Sequence, residues 1–409
     1  MKQKKLFYGW WVVFALFLVG MFGPAARYSL AAFFPFVSPE LEWSRSTIGL
    51  AQSLLIWLYA FFVLLSGLMT DRLGGRKTIF LGGFFCLIGW LLLSTVRVLW
   101  QLYLYYGFIM ALAVSMTHFV PLQATVRKWF SQRAGLATGI VVSAVSAGIS
   151  IFMPLLTTMS GVFGWRNTSI ICALAFGTII MLSAFFIIRD TPESIGLHPD
   201  GSDLASAADK PIIEKSWTVK QAAKTPQLWL LFVVYGVIGV PWHGLQAHLI
   251  MWGVDLGVTV AAAGIFLTAI MAPAIASRLL GGWLGDRYEK RKVIILAYLF
   301  CLLVMLWGWQ GVNTAQHLTL FAILIGIGIG LPVGLYTPCL GDLFGRASVG
   351  ALFGILTMGH SLIGGFGPLL WGRLFEISGS YNITCLVSAG CYTIAILAAF
   401  FIRPTTPKT

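Results

Sequence analysis

Long apolar stretches separated by short polar turns run through the whole chain. A helix needs about 20 apolar residues to cross a bilayer. Twelve stretches reach that length, at 9–36, 47–70, 78–96, 99–125, 135–160, 165–188, 227–254, 260–284, 292–311, 317–341, 348–372 and 381–402. One polar gap is much longer than the others: it covers 189–226, contains Pro192, Pro199, Gly201 and Pro211, and mixes charges of both signs. The pattern predicts an all-α membrane protein with twelve transmembrane helices. They form two pseudo-symmetric six-helix halves, 1–188 and 227–409, joined by a cytoplasmic linker at 189–226.

Composition agrees with this pattern. Hydrophobic residues are 58% of the chain and charged residues only 10%, with a mean hydropathy of +0.87; a soluble domain carries about 25% charged residues. The 16 Trp and 12 Tyr fit the enrichment of these side chains at bilayer interfaces. A net charge of +13 invites a nucleic-acid reading, and the placement of the charge excludes it. With the N-terminus cytoplasmic, Arg45, Arg97, Arg166 and Arg373 fall outside, Arg27 and Arg278 lie within segments, and the remaining basic residues share the cytoplasmic side. Twelve spans with both termini in the cytoplasm give that asymmetry by the positive-inside rule, so the charge reports topology in a cell (inner) membrane. Lys2, Lys4 and Lys5 precede the first apolar run, and no small-residue cleavage site follows it, so the run is a span rather than a signal peptide. The six cysteines lack metal-ligand spacing and read as small buried side chains, with no disulfide framework, metal or cofactor expected.

Two charges interrupt the apolar pattern. Arg278 lies in a stretch, 264–283, otherwise built from apolar and small residues, and Arg27 interrupts the first segment. A charged side chain at the centre of a spanning helix costs roughly 2.5–3.5 kcal/mol on insertion scales, a cost accepted where the charge faces a watery cavity or a partner. All fourteen Asp and Glu lie in loops or near segment ends, so none is placed to neutralise these arginines at mid-membrane. Arginine suits an anionic ligand: its planar guanidinium grips a carboxylate through two parallel hydrogen bonds and stays ionised. Arg27 is open to two readings, substrate or gate duty and snorkelling toward the outer surface. With no mid-membrane carboxylate to carry a proton, the candidates are histidines, which titrate in the useful range. They are His118 in segment four, His243 and His248 in segment seven and His360 in segment eleven, with His248 and His360 the preferred pair. Tyr28, Phe119 and Tyr336 lie at depths near the midplane and are candidates to shape a pocket. Glycines around Pro332 and Pro368 make segments ten and eleven bendable.

The chain also repeats itself. Gly67-Leu-Met-Thr-Asp71-Arg72-Leu-Gly74-Gly75-Arg76-Lys77 follows segment two, and Gly282-Trp-Leu-Gly-Asp286-Arg287-Tyr-Glu-Lys290-Arg291-Lys292 follows segment eight. Each copy places an Asp at a cytoplasmic helix end and then basic residues across a short turn. Asp71, Arg72, Arg76, Asp286 and Arg287 are therefore candidates for a cytoplasmic gate whose ion pairs form in one conformation and release in another. This duplicated turn resembles the GxLxDRxGRR/K signature of the major facilitator superfamily, whose fold is two six-helix halves with a substrate site near the midplane. The second copy is looser, lacking the glycine after Arg287.

Further local matches are Tyr8-Gly9-Trp10-Trp11, Arg27-Tyr28-Ser29-Leu30, Lys128-Trp129-Phe130 with Arg133-Ala-Gly135-Leu136, Gly164-Trp165-Arg166, and Thr225-Pro226-Gln227-Leu228-Trp229. Together they resemble the monocarboxylate transporters and the related oxalate–formate exchangers over nearly the whole chain. The resemblance implies that Arg278, in segment eight, binds the substrate carboxylate. It also marks departures: Ala274 stands where animal monocarboxylate carriers place an Asp, His360 where oxalate exchangers carry a lysine, and Arg27 nearest the lysine of segment one. The expected substrate-binding set is Arg278, Tyr28, Arg27, Phe119, His248, Tyr336 and His360, with His248, His360 and His118 as proton-coupling candidates.

The sequence therefore reads as a secondary transporter, not an enzyme. Its expected work is proton-coupled transport of a lactate- or pyruvate-like monocarboxylate by alternating access, by a monomer whose partners are the carboxylate, a proton and the lipid bilayer. The alternative is an anion exchanger for small mono- or dicarboxylates of the oxalate–formate type.

Overall fold

Twelve helices long and apolar enough to cross a membrane are present among the described residues. They are α1 (Tyr8–Leu41), α2 (Arg45–Leu73), α3 (Gly75–Ser94), α4 (Leu99–Trp129), α5 (Leu136–Phe163), α6 (Trp165–Ile187), α7 (Pro226–Asp255), α8 (Val260–Arg287), α9 (Lys290–Gly311), α10 (Ala315–Phe344), α11 (Val349–Ser378) and α12 (Asn382–Phe400). The computed structural model describes residues 7–130, 133–199, 217–345 and 348–403. Lys2, Lys4, Lys5, Lys210, Lys215, Arg346 and Lys408, assigned above to the cytoplasmic side, lie outside the described residues, as does 200–216 of the linker.

Five of the spans break among the described residues: α8 turns at Gly264, and each of the other four breaks sits just ahead of a proline. Helix α4 breaks at His118 (φ −107°, ψ −160°), three residues before Pro121. Helix α7 breaks at Ile238, three before Pro241. Helix α10 breaks at Gly334–Leu335, before Pro338, and α11 at Gly365, before Pro368. Proline brings no N–H, and its ring crowds the carbonyl four residues earlier, so the ladder opens on that side. A span tolerates this only where neighbouring groups take up the released backbone. Pro154 in α5 and Pro273 in the part of α8 after Gly264 lie within continuous helix.

Packing divides the chain into two units. One comprises Met1–Phe33 and Phe61–Lys210; the other comprises Phe34–Ala60 and Pro211–Thr409. The boundary differs from a division by sequence halves: the last part of α1 and the first half of α2 pack with helices from the second half. In the first unit α3 lies against α4 and α6, and α5 contacts both α4 and α6. The start of α3 is fixed by the turn before it. Gly74 has φ +90°, a left-handed conformation that excludes ordinary side chains, and the Arg76 backbone N–H donates to Asp190 Oδ1 at 2.8 Å. A carboxylate there also meets the positive end of the helix dipole.

In the second unit α8 packs along α10, α9 along α12 and α7 along α11. The α8–α10 contact is backbone-close. A Cβ at Gly330 would overlap the Ser277 hydroxyl and crowd the Ala274 carbonyl. Gly330→Val is therefore expected to push these helices apart at a cost of about 1–3 kcal/mol, read as a lower melting temperature of the purified protein. An unchanged melt would mean that the contact yields freely.

Candidate functional site

Each unit carries its own buried polar cluster. In the first, Arg27 of α1 is 5% exposed, and Tyr106 of α4 donates its hydroxyl hydrogen to the Arg27 backbone carbonyl. The guanidinium carbon of Arg27 stands 5.8 Å from the centroid of the buried Tyr28 ring. His118 sits at the break in α4, its ring 4.0 Å from that of the half-buried Phe119. The proline break thus places an imidazole where backbone polar groups have also left the helix ladder. Arg27, Tyr28, His118 and Phe119 therefore belong to one unit.

In the second unit Arg278 is fixed by the α8–α10 packing. Its neighbour Ser277 turns toward α10 and donates a long hydrogen bond to the Gly326 carbonyl at 3.4 Å. At about 100° per residue, Arg278 then leaves α8 on a different side. Its carbonyl oxygen would lie 3.9 Å from a Cβ on Gly334, so Arg278 stands at the level of the break in α10, two residues before Tyr336. Tyr336 is fully buried, and its hydroxyl is hydrogen-bonded to that of Tyr298. Tyr235 of α7 packs on Tyr336 at 4.4 Å and stacks on His360 of α11 at 4.5 Å, with 20° between the planes. His360 Nδ1 lies 2.8 Å from the Tyr235 carbonyl oxygen, which can only accept, so Nδ1 carries the hydrogen. The His243 ring is 5.1 Å from that of His360. Tyr336 and His360 are thus joined through Tyr235, a residue the sequence did not single out.

His248 lies in a different place. It is fully buried, with Nε2 2.8 Å from the Pro368 carbonyl and Nδ1 3.3 Å from the Tyr381 hydroxyl. Tyr381 in turn accepts from Arg45 at 2.7 Å, and Arg45 forks onto Asp255 with two bonds of 2.6 and 2.7 Å. Beside it, Ser46 donates its backbone N–H and its hydroxyl to the two oxygens of Glu376 at 2.7 and 2.9 Å. This network joins the start of α2 to the ends of α7 and α11. A signal for it existed in the sequence: Arg45 is one of few basic residues on its side, and Asp255 and Glu376 close helices at that same end.

The duplicated turns follow α2 and α8. Asp71, Arg72, Asp286 and Arg287 are exposed, and among the described residues no ion pair involves Asp71 or Asp286. Arg287 lies over Trp283 at 4.1 Å, and Arg76 donates to the Phe185 carbonyl at 2.7 Å. Lys290 pairs with Asp342 at 2.7 Å. No group of three or more His, Cys, Asp or Glu among the described residues is arranged to hold a metal.

Comparison with known proteins places this geometry. The family model of the Major Facilitator Superfamily matches residues 16–254 and 247–409. The hexuronate transporter of Bacillus subtilis (strain 168) is 25% identical over 97% of this chain and 95% of its own length. Monocarboxylate transporter 13 of Rattus norvegicus is 24% identical over 95% of this chain and 87% of its own. Among solved structures, a bacterial homologue of the human lysosomal transporter Spinster has the same fold, with a TM-score of 0.75 and 16% identity, covering 97% of this chain and 95% of that one.

Proposed function

Since the chain belongs to the major facilitator superfamily and is a multi-pass membrane transporter, we propose that it carries small organic anions by alternating access, with a monocarboxylate as substrate and a proton moving with it. The excess of basic residues in alternate loops supports a topology with both termini on the cytoplasmic side. The observation that carries the reading is Arg278, a guanidinium in the interior of α8. The nearest acid on its own helix is Asp286, eight residues or about 12 Å along the axis. A carboxylate gripped by the guanidinium fork offsets the cost of holding that charge within the membrane. Both the monocarboxylate and the hexuronate relatives are named for substrates that bear a carboxylate.

Of the histidines, His360 is assigned the proton. It stacks on Tyr235 within the cluster that also holds His243 and Tyr336, whereas protonating His248 would place a second cation beside the Arg45–Tyr381 bond. His360→Gln is expected to uncouple uptake from a pH gradient, read as the ratio of uptake with and without the gradient; an unaltered ratio removes the assignment. The second reading, exchange of mono- or dicarboxylates, is favoured by one feature, the further buried cation Arg27.

Uptake of lactate into liposomes containing the purified protein tests the proposal. Accumulation that collapses when an inward proton gradient is removed supports symport. Uptake only into vesicles preloaded with another organic anion supports exchange, and no uptake under either condition rejects the lactate-like assignment.

A further inference from the structure

Gln246 of α7 is 2% exposed, and neither its amide nitrogen nor its amide oxygen has a hydrogen-bond partner. A carboxamide brings two donors and two acceptor lone pairs. Burying all of them unmet destabilises the fold, and most buried polar groups in proteins are satisfied. An amide kept in this state is available to a partner from outside the protein.

Its place on the helix narrows what that partner is. Gln246 lies three residues beyond His243, so it returns to the same flank of α7 one turn further along. His243 meets His360, and His360 stacks on Tyr235. Gln246 is also two residues beyond Gly244, which abuts Trp371, and is therefore turned away from the side of α7 that holds His248 and Trp371. The amide extends the polar flank of Tyr235, His243 and His360, and stands apart from the Arg45 network.

The register of α7 and α8 relates it to Arg278. These helices pack on each other, with the Phe266 ring against Gly253. From that contact Gln246 is seven residues back along α7, about 10 Å, and Arg278 twelve residues along α8, about 18 Å. The two side chains start from levels about 8 Å apart. The reach of an arginine, a glutamine and a small acid together covers that gap.

We propose that Gln246 is a specificity-determining residue that hydrogen-bonds an oxygen on the carbon skeleton of the substrate, so that the carrier selects hydroxylated carboxylates over plain alkanoates. The proposal rests on Arg278 holding the carboxylate. The amide both donates and accepts, which suits a hydroxyl, and it adds no charge that would compete with the anion.

The test is binding to the purified wild-type protein, and to its Gln246→Leu variant, of two matched pairs: lactate against propionate, and gluconate against hexanoate. Wild type is expected to favour the hydroxylated member of a pair by about tenfold, the yield of one good hydrogen bond. Gln246→Leu is expected to erase that preference by weakening the hydroxylated acid alone. It is also expected to melt no lower than wild type, because leucine leaves no amide unmet. Should leucine disturb folding, Gln246→Met provides the same comparison. A preference that survives either variant overturns the proposal, as does a variant that weakens both acids equally and melts lower, the mark of a packing role. If wild type binds neither member of either pair, the carboxylate reading itself fails, and this proposal fails with it.

Discussion

Arg278→Gln will reduce carboxylate binding by about 100-fold or more while the purified protein still folds. The figure follows from the bonds removed. A guanidinium–carboxylate fork makes two charge-assisted hydrogen bonds, each contributing about 1.5–3 kcal/mol, and about 1.4 kcal/mol is a factor of ten in affinity. Folding should not suffer in proportion, because a neutral amide is less costly within a span than a cation. Arg278→Lys separates charge from geometry: it keeps the cation, loses the planar fork, and is expected to fall between wild type and glutamine. Titration of lactate against all three proteins, with melting curves alongside, checks the prediction. Affinity preserved in the glutamine variant would remove Arg278 from the site. Equal affinity in the lysine variant would mean that charge alone is read.

The fold was legible because membrane burial leaves an overt pattern. Apolar length, a single long polar gap and one-sided basic loops specified twelve spans before any contact was known. The duplicated turn at Asp71 and Asp286 named the superfamily because its glycines and charges are local in sequence. The candidate site was legible where one residue breaks a local rule, as the charges Arg278 and Arg27 do inside apolar spans. It was illegible where meaning comes from a contact between distant segments. Tyr235 looks like any aromatic residue in a span until His360, on another helix, is seen stacked on it with Nδ1 at its carbonyl. His248 and His360 read alike in sequence, and only the packing of α7 on α11 sends one toward Tyr381 and the other toward Tyr235. Prolines announce that a helix can break, yet the helix runs on through Pro154 and Pro273 while Pro121, Pro241, Pro338 and Pro368 follow breaks.

Arg45→Ala should loosen the start of α2 without unfolding the protein. Four ties hold residues 34–60 to α7, α11 and the turn after α11: Arg45 to Asp255 and Tyr381, Ser46 to Glu376, Leu369 N–H to the Ser53 hydroxyl at 3.2 Å, and the Trp57 indole N–H to the Leu362 carbonyl at 3.0 Å. The first is the strongest by chemistry. Its fork is short, its guanidinium carbon lies 3.6 Å from the Phe375 ring centroid, and the Arg45 and Asp255 side chains are only 16% and 30% exposed. That setting lies between a surface pair, worth about 0–1 kcal/mol, and a buried one, whose rupture costs about 3–5 kcal/mol, so a loss of about 2 kcal/mol is expected. Asp255→Ala should cost a similar amount, and the double variant much less than the sum, because both single changes remove one shared contact. The three remaining ties keep the deeper part of the segment packed, so the opening should spread from the start of the helix. Ala51, fully buried in wild type and part of none of these ties, reports how far it spreads. A cysteine placed there should react with a membrane-impermeant maleimide about tenfold faster when Arg45 is alanine, as a local opening made easier by about 1.4 kcal/mol would give. Unchanged melting together with unchanged reactivity would show that the segment is held by its apolar packing and the Ser46, Ser53 and Trp57 bonds, with the arginine contributing little.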